Sequence, residues 1–285
     1  MTRRTILPLL LSLFGFQTAA AEEKNPHVVL VVGTLHYSPE LTMPLFAKEL
    51  ERFGFRTTVV MGEGNPETKT NNVLPGIEAL AEADLAIFFT RFLKLPDAEW
   101  KPIEDYLKSS KPVIGLRTAS HAFKYPGNHP RFDWNDGFGR RVFGSPYVVH
   151  QSSETKIKTI PKNASHPIMT HITKIGWTSP GTLYLTHLDK DCLPLVSGSG
   201  TGRERLLKKS FGEIQVKKTE TASVAWAWKN EWGGKSFYTS LGHPGDFAGE
   251  SFNRMLVNAV HWGLDRPVPT AETKISTWKV KRADK

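Results

Sequence analysis

Residues 111–121, KPVIGLRTASH, decide the fold. Residues 112–116 form a short apolar run that reads as a buried strand, and the polar residues after it read as a turn entering a helix. In open α/β sheets, ligands lie just beyond the carboxyl ends of the strands, so a polar strand-to-helix turn is where a site is built. Arg117, Thr118, Ser120 and His121 are the chemistry-bearing side chains of this turn.

The surrounding sequence supplies the partners such a strand needs. Residues 27–32 (HVVLVV) and 85–89 (LAIFF) are continuous apolar runs, the pattern of parallel strands covered on both faces. Residues 55–61 supply a further strand. Leu41, Leu45, Phe46, Leu50 and Phe53 recur at helical spacing, and Gly54 closes that helix. A weaker helix is predicted over 74–82, and another over 97–108, where Pro102 is expected to split it. This alternation through the first 125 residues predicts an α/β fold: a doubly wound, mostly parallel sheet with helices on both faces and right-handed crossovers.

From 128 to 220 the alternation is lost. Short strands at 184–186 and 194–197 stand among Gly, Pro and polar residues, which predicts an irregular mid-chain insertion. Order returns with two alternating runs, 223–229 and 235–241, joined as a hairpin around Glu231-Trp232-Gly233-Gly234. A last helix carries Phe252, Met255, Leu256, Ala259, Val260 and Trp262 on one stripe. The expected organisation is a signal peptide over 1–21, one α/β domain over 22–266, and a basic, solvated tail over 267–285.

The N-terminus carries Arg3 and Arg4, an apolar stretch over 6–16 and the small residues Ala19-Ala20-Ala21. That is the pattern of an export signal, too short to span a bilayer of about 30 Å. The adjacent arginines match a twin-arginine export signal. The expected location is therefore the periplasm or exterior of a bacterial cell, with no integral membrane segment after cleavage. Lys and Arg number 37 against 28 Asp and Glu, a net charge of +9. Acids such as Glu49, Glu51, Glu78 and Glu82 interrupt any basic stripe, which argues against nucleic acid as a partner. The single cysteine, Cys192, cannot form an intrachain disulfide, so stability rests on core burial.

Several blocks together resemble the ThuA-like (trehalose-utilisation-type) family, a branch of the class I glutamine amidotransferase-like superfamily with a flavodoxin-like fold. They are the Gly33…His36 turn, the Gly115-Leu116-Arg117…His121 elbow, His166-Pro167-Ile168, and the run from Gly234 to His243. The resemblance covers about residues 26–265 and implies a role in carbohydrate catabolism. In amidotransferases the elbow carries a nucleophilic cysteine, and a His-Pro-Glu triplet follows late in the chain. Here the elbow has Arg117, and the triplet reads His243-Pro244-Gly245, with Asp246 one position on. Many relatives also carry histidine where this chain has Arg117, and an acid before the tyrosine where it has Thr182-Leu183-Tyr184.

His36, Arg91, Arg117, His121 and His243 each follow a predicted strand, so all five are expected at one carboxyl edge. The arginines offer forked donors suited to carboxylates, phosphates or sugar hydroxyls. His243 and His121 suit proton transfer near neutral pH, with Asp246 placed to orient His243. Ser120 lacks a Gly-x-Ser-x-Gly frame, which argues against serine hydrolysis. His36, His121, His243 and Asp246 are also the candidate ligands of a divalent metal such as zinc, though no HxxxH or HxH spacing joins them. His129 and His166 read as loop histidines. Trp134, beside Asp133, Asn135 and Asp136, is a candidate platform for a sugar ring, as is Trp177, whereas Trp226, Trp228 and Trp262 read as core. The expected partner is a small carbohydrate. Two functions fit: acid/base chemistry on a sugar or keto-sugar derivative, with or without the aid of a metal, and non-catalytic carbohydrate binding on an enzyme-like scaffold.

Overall fold

The computed structural model describes residues 25–65, 70–172 and 175–281; the expected signal segment lies outside them. In chain order the elements are β1 (His27–Gly33), α1 (Pro39–Arg52), β2 (Arg56–Met61), a small ribbon of β3 (Glu63–Asn65) and β4 (Thr70–Val73), then β5 (Leu85–Thr90), α2 (Asp97–Lys108) and β6 (Val113–Leu116). There follow α3 (Trp134–Phe143), β7 (Tyr147–Thr159), β8 (Gly176–Thr186), β9 (Leu193–Thr201), a second ribbon of β10 (Arg205–Lys209) and β11 (Gly212–Val216), β12 (Thr219–Lys229), β13 (Lys235–Thr239) and α4 (Glu250–Gly263).

Nine strands form one mixed sheet in the order β2-β1-β5-β6-β13-β12-β9-β7-β8. The first five are mutually parallel, in the flavodoxin-like order, whose switch point lies between β1 and β5. β1 shows why. Val28, Leu30 and Val32 face a core shared with α1 and α4, while Val29 and Val31 face one shared with α2 and α3. A strand buried on both faces has no polar side, hence the unbroken apolar run.

Three expectations change. The middle of the chain is ordered as long antiparallel strands: β7 and β8 pair through bulges, and β9 and β12 join them to the parallel half. Polar residues such as Gln151, Thr155 and Ser179 are buried in these strands, which hides their inward face from a hydropathy reading. Residues 117–121 form a single 3-10 turn rather than the start of a helix, and residues 77–82 form another. α2 runs unbroken through Pro102, because Trp100, Ile103, Tyr106 and Leu107 anchor it on both sides of the lost backbone bond.

The tail after Pro267 is no solvated extension either. Ile275 is buried, Trp278 stacks on Phe247, and Glu49 Oε1 accepts the Ser276 amide at 2.8 Å. Arg254 donates to the carbonyls of Thr270 and Thr273, and Asn253 to that of Ser276. The segment closes the face formed by α1 and α4. Ile275→Ala should accordingly cost about 2–4 kcal/mol in unfolding free energy measured in denaturant. A tail lying in solvent would leave the midpoint unmoved.

Candidate functional site

The loops after β1, β5, β6 and β13 meet at the carboxyl edge, and their backbones are unusual there. Of the seven non-glycine residues with positive φ among those described, four belong to these loops: Tyr37, Ser38, Phe92 and Arg117. Left-handed backbone at such residues persists only where surrounding contacts enforce it. At Arg117 (φ 45°) the enforcement is visible: the buried Tyr238 hydroxyl donates to its carbonyl and stands 3.0 Å from Ser120 Oγ. Gly139 of α3 lets the helix close on the turn, since a Cβ there would lie 2.4 Å from the Ser120 carbonyl. The Phe92 and Leu93 amides donate to the carbonyls of His121 and Ala122, tying the Arg91 loop to the elbow.

Arg117 is 1% exposed. Its Nη1 donates to the Ser240 carbonyl at 2.6 Å and its Nη2 to the Tyr37 hydroxyl at 3.1 Å, with Thr182 at 3.4 Å. The guanidinium also lies 4.2 Å from the Tyr37 ring and 4.6 Å from that of Tyr184. The side chain expected to grip a ligand is therefore an internal clamp in this structure, closed off by the rings it holds. Burial opposes its charge, but the phenols of Tyr184 and Tyr37 and the Asp246 carboxylate outweigh that and raise its pKa. The two departures from the family pattern, at 117 and 182, fall against each other.

Around this clamp runs a chain of rings. His36 packs edge-on to Tyr37 at 4.2 Å, and His243 lies 5.9 Å from the same ring. On the other side His121 lies 4.2 Å from Tyr147, which stands 5.1 Å from Tyr184, and the Tyr147 hydroxyl is 2.6 Å from His150 Nδ1. Arg91 spreads over the Phe92 ring at 4.1 Å. The structure thus brings His36, Arg91, Arg117, His121 and His243 to one edge. It adds four residues not singled out from sequence for a role there: Tyr37, Tyr147, His150 and Tyr184. Tyr37 adjoins His36, and a tyrosine next to a candidate histidine was an available signal; the other three stand on strands of the misread middle region.

Electrostatics set the protonation states. Burial, then the charges of Arg91, His36, Arg117 and His150, hold His121 well below the ordinary histidine value. Burial and Arg117, Arg205 and Arg91 lower His150 in the same way. Burial alone would raise Tyr37, yet the Arg117 charge and hydrogen bond bring it below an ordinary phenol. Tyr147 is pushed up to about 12, chiefly by burial. His243 Nδ1 accepts the Gly245 amide at 3.1 Å, so the neutral ring carries its proton on Nε2. Asp246 does not reach that ring. Its Oδ2 instead accepts the amides of Gly242 and His243, fixing the turn that presents the imidazole.

Two other expectations are corrected. Trp134 packs against Trp100 at 4.6 Å, stacks at 6.2 Å on Trp232 and lies under Arg141, so its ring is engaged in a separate cluster where α3 begins. Among the described residues no three His, Cys, Asp or Glu side chains are grouped to hold a metal ion. His36, His121, His243 and Asp246 do not converge on a common point, because Asp246 is bound to backbone amides and His121 is wedged between Phe92 and Tyr147. Cys192 lies beside Gly144, its thiol pushed up to about 12 by burial and by Asp189, which makes it a poor nucleophile.

The parallel half-sheet, and the carboxyl edge at which its loops meet, define a flavodoxin-like α/β protein. The chain belongs to the ThuA family, whose model, described as trehalose utilisation, matches residues 28–263. The fold is similar to that of a ThuA-like protein from Parabacteroides merdae, with a TM-score of 0.58, 12% identity, and 91% of this chain and 98% of that chain covered. A weaker likeness is to the exo-β-1,4-mannosidase Op5Man5 from Opitutaceae bacterium strain TAV5, with a TM-score of 0.43, 10% identity, and 87% and 36% covered. No curated protein matches the chain.

Two outcomes follow from this geometry. A Cβ on Gly181 would stand 2.8 Å from Arg117 Nη1, so Gly181→Ala should displace the clamp and cost about 1–3 kcal/mol, read in denaturant. Acid should also destabilise the protein. Unfolded His121 takes up a proton below its ordinary value of 6.5, while folded His121 resists until much lower pH. Stability should therefore fall as pH drops below 6.5, and His121→Gln should reduce that slope by about 1.4 kcal/mol per pH unit. An unchanged slope would mean that His121 is not held neutral.

Proposed function

We propose that this protein acts on a sugar or keto-sugar derivative by acid/base chemistry at the carboxyl edge, without a covalent thiol step. The observation that carries the reading is the convergence of two half-exposed residues that bear transferable protons, Tyr37 and His243, whose rings lie 5.9 Å apart on one ring-lined edge at the strand ends. Membership of a family described as trehalose utilisation supports a carbohydrate-related role. Tyr37 suits proton exchange because Arg117 favours its ionised form. His243, with Nδ1 occupied by a backbone amide, suits the part of neutral hydrogen-bond donor to a developing oxyanion. Asp246 is then a positioning residue for His243. His121, neutral and packed on Tyr147, positions the opposite wall. The exposed parts of the Tyr37 and Tyr147 rings supply faces on which a sugar can stack.

The alternative, a carbohydrate-binding protein without turnover, predicts the same ligand contacts and no chemistry. Incubation with trehalose, glucose and keto-sugars in deuterated buffer, followed by NMR, separates the two by showing product or exchanged carbon-bound hydrogen. Tyr37→Phe keeps the ring and removes the hydroxyl. It should lower turnover about a hundredfold or more while leaving ligand affinity within a few-fold. Wild-type turnover in both Tyr37→Phe and His243→Gln would end the acid/base reading. Ligand binding with no exchange under any condition would favour the binding protein.

A further inference from the structure

Among the described residues, no carboxylate acts on the Arg91 guanidinium at this edge. Arg91 follows β5 at the switch point of the parallel sheet, half-buried, its guanidinium 4.1 Å from the centre of the Phe92 ring. Its backbone amide donates to the Gly33 carbonyl, but its guanidinium makes no hydrogen bond or ion pair with any described residue. The groups that act on it electrostatically are the phenols of Tyr184, Tyr37 and Tyr147, with no carboxylate among them. Further cations stand around it: Lys124 Nζ lies 5.0 Å from the same Phe92 ring, Lys209 Nζ 5.8 Å from Tyr147, and Arg205 Nη2 donates to the His150 carbonyl.

The described acids of these loops do not act on Arg91. Asp246, the carboxylate that acts on Arg117, has its Oδ2 on two backbone amides. Glu40, in the first turn of α1, interacts with neither arginine. Arg117 itself is engaged by Ser240, Tyr37 and Thr182, which leaves Arg91 as the half-exposed fork at the switch point. A half-buried guanidinium without a counter-charge is costly to hold in a folded protein. Its planar fork matches a carboxylate or phosphate through two parallel hydrogen bonds. Flavodoxin-like sheets bind their ligands at this same crevice.

We infer that the carbohydrate taken by this site carries an anionic group, a carboxylate or a phosphate, seated on the Arg91 guanidinium. The inference rests on the carbohydrate reading above and narrows it to acidic sugars. Arg91 acts here as a binding and specificity residue, with a role distinct from that of the proton-transfer groups Tyr37 and His243.

The test is isothermal titration of the full chain and of Arg91→Gln at one ionic strength. The probes are glucose and trehalose as neutral sugars, glucuronate, glucose 6-phosphate, and inorganic phosphate alone. One of the two anionic sugars should bind about ten- to a hundredfold more tightly than glucose, and whichever does identifies carboxylate or phosphate. Arg91→Gln should remove that advantage and leave glucose unchanged. If Arg91→Gln does not fold, Arg91→Lys, which keeps the charge and loses the fork, should retain only part of the preference. Neutral sugars binding as tightly as both anionic ones would overturn the inference and leave the carbohydrate reading standing. Inorganic phosphate binding as tightly as glucose 6-phosphate, through Arg91, would keep the anion seat and count against the carbohydrate reading. Absence of binding by every probe would overturn the inference.

Discussion

A guanidinium buried without a paired carboxylate hydrogen bond is the constraint around which this site is arranged. Removing such a charge from water costs several kcal/mol unless its donors and its field are met. Arg117 meets that cost with the Ser240 carbonyl, the Tyr37 hydroxyl and two aromatic faces. These partners come from the β1 loop, β8 and the end of β13, while Arg117 itself stands at the end of β6. One side chain therefore ties four elements across the carboxyl edge. Lysine offers no planar fork to reach these partners together, and a larger residue at 181 would take the space the guanidinium fills.

The clamp also joins the two halves of the sheet. The parallel half supplies loops at its switch point and places His36, Tyr37 and Arg91 there. The antiparallel half supplies a wall, with Tyr147 and His150 from β7 and Thr182 and Tyr184 from β8. Neither half alone makes the ring chain, since Arg117 contacts both tyrosine faces and so locks their separation.

The parts legible in the sequence were those with a one-dimensional signal. β1, β5 and β6 are covered on both faces and so read as apolar runs, and the histidines and arginines after them fell at the right edge by topology alone. β7 defeated that reading because its inward positions include Gln151 and Thr155, and because bulges shift its register with β8. Tyr147 and His150 were lost with it. The role of Arg117 was hidden for a different reason. A ligand-gripping arginine and a structural one have the same sequence, and only burial with protein partners separates them. Trp134 failed in the same way, since an aromatic residue among polar neighbours reads as a platform until Trp100 and Trp232 are seen against it.

The same cations connect protonation to occupancy. Arg91 and Arg117 act on His121 and His150, and their field is part of what keeps both imidazoles uncharged. An anion seated on Arg91 would offset that field, so the imidazoles would bind protons more readily with the ligand in place than without it. Binding and proton uptake are then linked, and linkage is reciprocal: mild acid would favour the bound state to the extent that the bound state favours the proton. A site with carboxylates beside its arginines would lose this property, since the field would be cancelled before the ligand arrived. Because no described carboxylate acts on Arg91, the charge of a ligand seated there would bear on the state of the histidines as well as on affinity.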